Sequence, residues 1–545
     1  MAITTTLSNK HFLVLDDQPE MRSSLRAQIG SLGCTNVVVC ANVKGAIEQF
    51  EKRRFDVVLC DYYLGGGTDG QQFLEYLRSR ELISRGTIFI MITAEKSYES
   101  VVTAAECLPD DYLLKPFTAD TLHSRVERQL EKKARLAKIN TLQDKRKWPE
   151  VVAACDEIIA SRDRYQVDAM RIRGNALIAA GRFDEAIAFY QQVLAARALP
   201  WAKFGLAHAL HAKGELAASK ATLGELIVES PRFLSAYDLL GRAHLESGQA
   251  DEAMKILDQA TQVAPNSLTR HRAIAKVAEE QGDFSRVEAA LSQVVKKTRN
   301  TPLRNTGDIA RLGNAFTELG TPDKAIALIE EAKTNFKGDQ QDPHLAAIEA
   351  LAHSKAGRPE LAAKALARVA ENANVPMSPE VTVQLAKAYL ANGQINAGEA
   401  ILKRVVQTSP DSREVHALVT KAMSAHGSPD RAQALIAGSI GEVVALNNEA
   451  VRRGKAGELG AAAQMLTEAA ERLPENVQIV ANAAFALLLD VFSNGLDQQK
   501  FAKALAFQQQ LLALDDRHPK HADIAALTAK IRNKFNILED PAEST

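Results

Sequence analysis

Residues 56–61 read Asp56-Val57-Val58-Leu59-Cys60-Asp61, an apolar run between two carboxylates. It is too short for a helix, and its unbroken Val/Leu content lacks the alternating polar positions of a half-solvated strand. Such a run suits a strand covered on both faces, as in a parallel sheet flanked by helices. Working outward, the pattern recurs at His11-Phe-Leu-Val-Leu-Asp16, Asn36-Val-Val-Val-Cys40, Ile88-Phe-Ile-Met-Ile-Thr93 and Asp111-Tyr-Leu-Leu-Lys115. Amphipathic stretches separate these runs; Gln71 to Arg80 puts Phe73, Leu74 and Leu77 on one face. The alternation predicts an α/β unit: a doubly wound, five-stranded parallel sheet with five helices over the first ~120 residues. Such sheets bind ligands at the carboxyl ends of their strands.

From about Thr118 the strand pattern stops. Thr118 to Lys147 reads as one charged helix, with Val126, Leu130 and Ala134 four apart, running on as a linker. It falls short of the ~3 heptads a coiled coil needs. Beyond Trp148 the chain repeats. Gly181, Gly214, Gly248, Gly282, Gly320, Gly357, Gly393, Gly427 and Gly457 recur at a period of about 34 residues, the period of helix–turn–helix arrays. Glycine ends one helix and permits the turn. A small residue five positions on (Ala186, Ser219, Ala253, Ala325, Gly398, Ala462) lets the second helix approach the first. Pro231, Pro265, Pro410 and Pro474, each 17 after a glycine, close their units because proline cannot continue a helix. The pattern weakens between Lys296 and Gly307, where extra residues form a loop, and again near Gly427. The second region is therefore expected to be all-α.

Composition narrows the function. In 545 residues, 66 Lys and Arg balance 67 Asp and Glu, which disfavours a whole-chain footprint for nucleic acid or an anionic membrane. Aromatics are only 5% against 46% hydrophobic, so aliphatic and small residues, as in alanine-rich helices, carry the apolar content. Cys34, Cys40, Cys60, Cys107 and Cys155 form no CxxC pair, so neither a disulfide framework nor a zinc cluster is expected, and a reducing cytoplasm fits. Met1 to Lys10 lacks the form of a secretory signal. The longest near-apolar run, Ala481 to Phe492, is broken by Asp490 and falls short of the ~20 residues of a membrane span.

Chemistry concentrates at the strand ends. Asp16 and Asp17 follow the first strand and Asp61 ends the third. First and third strands are neighbours in this fold, so the three carboxylates converge. Either their pKa values rise or a hard divalent cation sits among them, and magnesium suits few carboxylates and several waters. Thr93 brings a hydroxyl and Lys115 an ammonium, with Pro116 fixing the turn beyond it. A carboxylate, a cation, a hydroxyl and an ammonium around one point make a site that receives a phosphoryl group.

Asp16-Asp17, Asp61, Thr93 and Lys115-Pro116 together resemble the receiver domain of bacterial response regulators, over about residues 9 to 135. The resemblance implies a flavodoxin-like fold, Asp61 as phospho-acceptor, and Mg2+ held by Asp16, Asp17, Asp61 and the backbone carbonyl of Tyr63. It implies that Thr93 and Lys115 sense the phosphoryl group, and that Tyr112 is the aromatic switch. The loop after Asp61, Tyr-Tyr-Leu-Gly-Gly-Gly-Thr-Asp-Gly, departs from the Met-Pro pair of many relatives. The second region resembles the tetratricopeptide repeat family from about Thr141 to Ile531: its small packing position recurs at Gly174, Ala207, Gly241, Ala275, Gly313, Ala350 and Ala386. That resemblance implies a right-handed superhelix with a concave binding surface and no catalysis.

Two rival motifs are weaker. Gly65, Gly67 and Gly70 match GxGxxG, with Glu95 downstream, but Tyr62 to Leu64 separate the strand from the first glycine and the acids repel a pyrophosphate. Arg171 and Asn175, four apart in the Gly181 repeat, resemble a carboxylate-gripping pair, yet the next repeat has Phe204 and His208 there. The expected organisation is a receiver at 1–135, a linker helix at 136–147, repeats at 148–535 and a disordered tail at 536–545. The leading expectation is a cytoplasmic, non-enzymatic two-component response regulator. A histidine kinase phosphorylates it, and its repeats bind a protein or peptide rather than DNA. A homodimer through the receiver is compatible with this. The alternatives are a phosphate sink or competitive inhibitor of a kinase serving another regulator, and a constitutive scaffold.

Overall fold

The computed structural model describes residues 7–65, 69–94, 109–299, 301, 303–335, 342–371, 377–516 and 518–537. They fall into two compact units, Met1–Ala315 and Phe316–Thr545, divided inside the helical array. The expected tail at 536–545 lies outside the described residues from 538 on, as do Glu95, Gly67 and Cys107.

The first unit opens with β1 (Phe12–Leu15), β2 (Val37–Cys40), β3 (Val57–Asp61), β4 (Ile88–Thr93) and β5 (Asp111–Leu114). All pair in parallel, in the order β2-β1-β3-β4-β5. Helices α1 (Pro19–Ser31), α2 (Val43–Phe50), α3 (Gly70–Ser79) and α4 (Ala119–Arg135) cover the two faces. One face buries Leu13, Val58, Phe73 and Phe89 together; the other buries Val14, Leu59, Ile90 and Val126. Strands β1, β3 and β4 are buried at every position, which is why their sequences show no alternation. The fifth helix expected between β4 and β5 falls on 95–108, outside the described residues.

The Thr118–Lys147 stretch is not one helix. The chain leaves α4 at Leu136 (φ −94°, ψ 6°) and resumes as α5 (Ala137–Asp144), then turns into α6 (Trp148–Ala160). Leu136 and Ile139 are buried with Val151, Cys155 and Ile158, so α5 and α6 form a helical hairpin. Its turn residue is Arg146, at φ +53° where the later repeats place glycine. Hairpins continue through α7 (Gln166–Ala179), α8 (Phe183–Ala196), α9 (Pro200–Lys213), α10 (Leu216–Glu229), α11 (Leu234–Glu246), α12 (Ala250–Val263), α13 (Leu268–Gln281) and α14 (Phe284–Thr298). Residues 299, 301 and 303–305 lie outside any helix, ahead of α15 (Thr306–Glu318). Every turn glycine from Gly181 to Gly457 has positive φ, between +72° and +90°. Gly174 and Gly205 flank the Tyr190 ring so closely that a methyl at either would overlap it.

The second unit carries the array on to Phe535. The irregularity near Gly427 has a physical form: Pro429–Lys455 is one 27-residue helix, in which the second helix of one hairpin runs into the first of the next without a turn. Val477–Asn494 is long and apolar enough to cross a membrane, longer than the Ala481–Phe492 run suggests. Its Ile479, Val480, Ala484 and Leu488 are buried among neighbouring repeats, and Asp490 pairs with Lys500 at 2.7 Å, as in the core helix of a packed array.

Candidate functional site

Strand register builds the site. Leu15 lies opposite Cys60, so the next residues, Asp16 and Asp61, emerge side by side from β1 and β3. Asp61 lies opposite Ile92 and Thr93 opposite Leu114, which brings Thr93 and Lys115 to the same carboxyl edge. The Lys115 ammonium donates to Asp16 Oδ2 and Asp61 Oδ2, both at 3.0 Å. Asp16 is fully buried and Asp61 nearly so, whereas Asp17 is exposed. One ligand oxygen from each of Asp16, Asp17 and Asp61 lies within 4.8 Å of the others.

The backbone fixes these carboxylates. Gln18 N–H donates to Asp16 Oδ1 at 2.9 Å, and the Arg22 guanidinium donates to the Asp16 carbonyl at 2.8 Å. Burial pushes the Asp61 carboxyl up to about 6; the Lys115 hydrogen bond and charge oppose that, while the Asp16 charge adds to it. For Lys115, burial favours the neutral amine, but the bonds to Asp16 and Asp61 outweigh it and hold the pKa above its ordinary value. The site is therefore short of positive charge. Three hard oxygen donors, one open to solvent, fit a magnesium ion that keeps part of its water shell.

Two glycines of the rival GxGxxG motif take structural roles here. Gly65 has φ +57°, and a methyl on it would sit 2.8 Å from Asp17 Oδ2. Gly70 starts α3 under the end of β3, where a methyl would press on the Asp61 carbonyl and lie 2.8 Å from Met91 Sδ. A side chain at Gly65 would crowd Asp17, and one at Gly70 the end of β3. The loop returns through a bridge between Tyr63 and Asp69, and Asp69 caps α3 by accepting from Gln72 N at 2.8 Å. Burial raises the Asp69 carboxyl to about 6, with the Lys297 ammonium of α14 among the groups drawing it down. Burial in turn lowers Lys297, with Asp69 opposing. The repeat region thus approaches the receiver loop. Sequence reasoning missed Asp69 and Lys297, since nothing in a period of about 34 links positions so far apart.

The remaining expected residues lie as follows. Thr93 is buried at the end of β4. Tyr112 is half-buried on β5, packed against the cluster that holds Phe89 and Met91. The Lys115–Pro116 bond is cis. Tyr63 is exposed, its ring edge-on to Tyr62. Arg171 and Asn175 belong to α7 and stand apart from this site; the Arg171 guanidinium lies 5.2 Å from the centre of the Trp201 ring.

Helix α4 ties the sheet to the repeats. Asp111 at the start of β5 accepts from Arg125 at 3.0 Å and Arg128 at 2.8 Å. Beyond them, Glu131 meets Arg164 at 3.0 Å, Lys132 meets Asp168 at 2.6 Å and Arg135 meets Asp163 at 2.6 Å, joining α4 to the α6–α7 loop and α7.

Comparison with known proteins agrees with this geometry. Residues 12–127 match the response regulator receiver domain family. Residues 136–199, 177–243, 244–306 and 353–422 match tetratricopeptide repeat families, so the Arg146 hairpin counts as a repeat. Chemotaxis protein CheY-3 of Vibrio cholerae is 30% identical over 124 residues, covering 23% of this chain and 94% of its own length. Chemotaxis protein CheY of Pseudomonas aeruginosa is 28% identical over 120 residues, covering 22% and 95%. A solved receiver domain of a Francisella response regulator is 27% identical and covers 23% of this chain and 98% of its own, with a TM-score of 0.21. The chain belongs to the response regulator receiver family, its receiver domain followed by tetratricopeptide repeats.

Proposed function

We propose that Asp61 accepts a phosphoryl group from a histidine kinase and that the modification switches protein binding by the repeats, without a DNA-binding output. The observation that carries this is the Asp61 carboxylate at a strand tip, sharing the Lys115 ammonium with Asp16 at 3.0 Å beside Asp17. One oxygen of Asp61 bonds to phosphorus as the P–N bond of the donor phosphohistidine breaks, and the electron pair leaves on the imidazole nitrogen. Asp16, Asp17, Asp61 and the Tyr63 carbonyl hold magnesium in this reading. When bound, the ion would supply positive charge that offsets the charge of the transferred group. Lys115 supplies the second positive charge and moves from Asp61 toward the new phosphoryl oxygens. Thr93 donates its hydroxyl to them, and Tyr112 repacks against the end of β4. Pro116 fixes the turn that carries Lys115.

The reading places the exchange in the cytoplasm, where ATP charges such kinases. It takes 1–135 as the receiver unit and starts the repeats at 136, so the segment 136–147 expected as a linker is the first helix of the array, ahead of the repeats expected at 148–535. The joint supports an output through the repeats: α4 runs from β5 to Leu136, which is already repeat core. Labelling with acetyl phosphate and magnesium tests the reading. The wild-type chain is expected to gain one acid-labile phosphoryl group, lost in Asp61→Asn and on chelation; no labelling, or labelling that persists in Asp61→Asn, contradicts it.

A further inference from the structure

The first turn of α3 is buried on the side that faces away from its own sheet. At about 100° per residue, Phe73, Leu74 and Leu77 turn toward the sheet and Gln72 turns away from them. A helix lying on a sheet leaves that position to solvent, yet Gln72 is 3% exposed, as is Gln71 beside it. Gln72 Oε1 accepts from Asp69 N–H at 3.2 Å. Among the described residues, Gln72 Nε2 and Gln71 Oε1 are buried without a hydrogen-bond partner. Lys297, in the last turn of α14, is half-buried and donates to Asn266 Oδ1 at 2.6 Å, on the connection between α12 and α13. Burial is the larger influence on Lys297 and on Asp69, but each charge also shifts the other. The end of the α13–α14 hairpin therefore lies against the receiver loop that follows Asp61.

Two orphaned amide ends, with an ammonium and a carboxylate both withdrawn from water, make this a costly contact. Separation returns all four groups to water, so the contact is poised to open. Its receiver side is tied to Asp61: Gly70 N–H donates to Tyr62 O at 2.8 Å, and Tyr63 bridges Asp69. On the inner side the loop has no slack, since a methyl on Gly65 would sit 2.8 Å from Asp17 Oδ2. A phosphoryl group with a hydrated magnesium ion is bulkier than a methyl and displaces the loop outward. We propose that α14 and the Asp61–Gly70 loop form a clasp that holds the fourth glycine-marked repeat against the receiver while Asp61 is unmodified, and that phosphorylation opens it by moving the loop. This deepens the response-regulator reading and rests on it. The clasp is separate from the ion pairs of α4, which act as the hinge when it opens.

Hydrogen exchange on the full chain, read in α3 and in α14, tests this. Labelling the wild-type chain with acetyl phosphate and magnesium is expected to speed exchange at least about threefold in both helices. Lys297→Glu sets a second acid beside Asp69, so it is expected to give the same acceleration in both helices without phosphate. Lys297→Arg keeps the charge and is expected to match the wild type. Exchange in β1, which is expected to stay slow in every sample, shows that the variants are folded. Labelled wild type with unchanged or slower exchange in α3 and α14 overturns the proposal. So does a folded Lys297→Glu chain that loosens α14 alone, because the two helices then share no contact. The failures are distinguishable. A chain that takes no phosphoryl group contradicts the reading this rests on, whereas a labelled chain whose clasp stays shut overturns this inference alone.

Discussion

Asp61 and Lys115 share one electrostatic problem. Burial raises the Asp61 carboxyl to about 6, so the folded chain holds that proton over a range where the unfolded chain has released it. Its ionisation therefore costs stability as pH rises from about 4 to about 6, and the cost persists above. Asp61→Asn is expected to raise stability at pH 7.5 without magnesium by about 1 kcal/mol, a gain that disappears near pH 4; thermal melts at both pH values check it. In the proposed transfer the charged carboxylate is the nucleophile, so labelling should fall as pH drops through about 6, and magnesium should move that midpoint down by favouring the charged form. Lys115→Ala leaves Asp16 and Asp61 facing each other without a cation. Urea unfolding should show a loss of about 2 kcal/mol, smaller when magnesium is present.

At the scale of elements, much was legible in the sequence and the exceptions have causes. The strands were legible because burial on both faces leaves unbroken Val, Ile and Leu runs, as in Val57–Cys60. The acids and Lys115 were legible because a strand end is a fixed place in this fold. The break at Leu136 was not, because Val126, Leu130 and Ala134 keep their spacing and only the tertiary contacts of Leu136 and Ile139 end the helix. The hairpin before Gly181 was missed because its marker is absent: Arg146 adopts φ +53° without being glycine. Arg146→Gly should relieve that backbone and raise stability by about 0.5–1 kcal/mol, read by thermal melts. Gly70 was read only as part of a rival motif, although its role is to let α3 start against Asp61. Gly70→Ala should destabilise the chain by about 2 kcal/mol and reduce labelling, since Met91 and the Asp61 carbonyl leave no room for a methyl.

At the scale of the molecule, the described joint within the first unit decides whether a change at Asp61 reaches the repeats. The Glu131–Arg164 pair is exposed and the Lys132–Asp168 and Arg135–Asp163 pairs are partly exposed, each worth about 1 kcal/mol or less. They set an orientation that a switch of a few kcal/mol can reset, which a buried apolar seam would resist. Hydrogen exchange across residues 128–170, with and without acetyl phosphate and magnesium, addresses this most directly. The account predicts a change in exchange there that accompanies labelling and is absent in Asp61→Asn. Labelled protein whose exchange across 128–170 matches the unlabelled protein would contradict it.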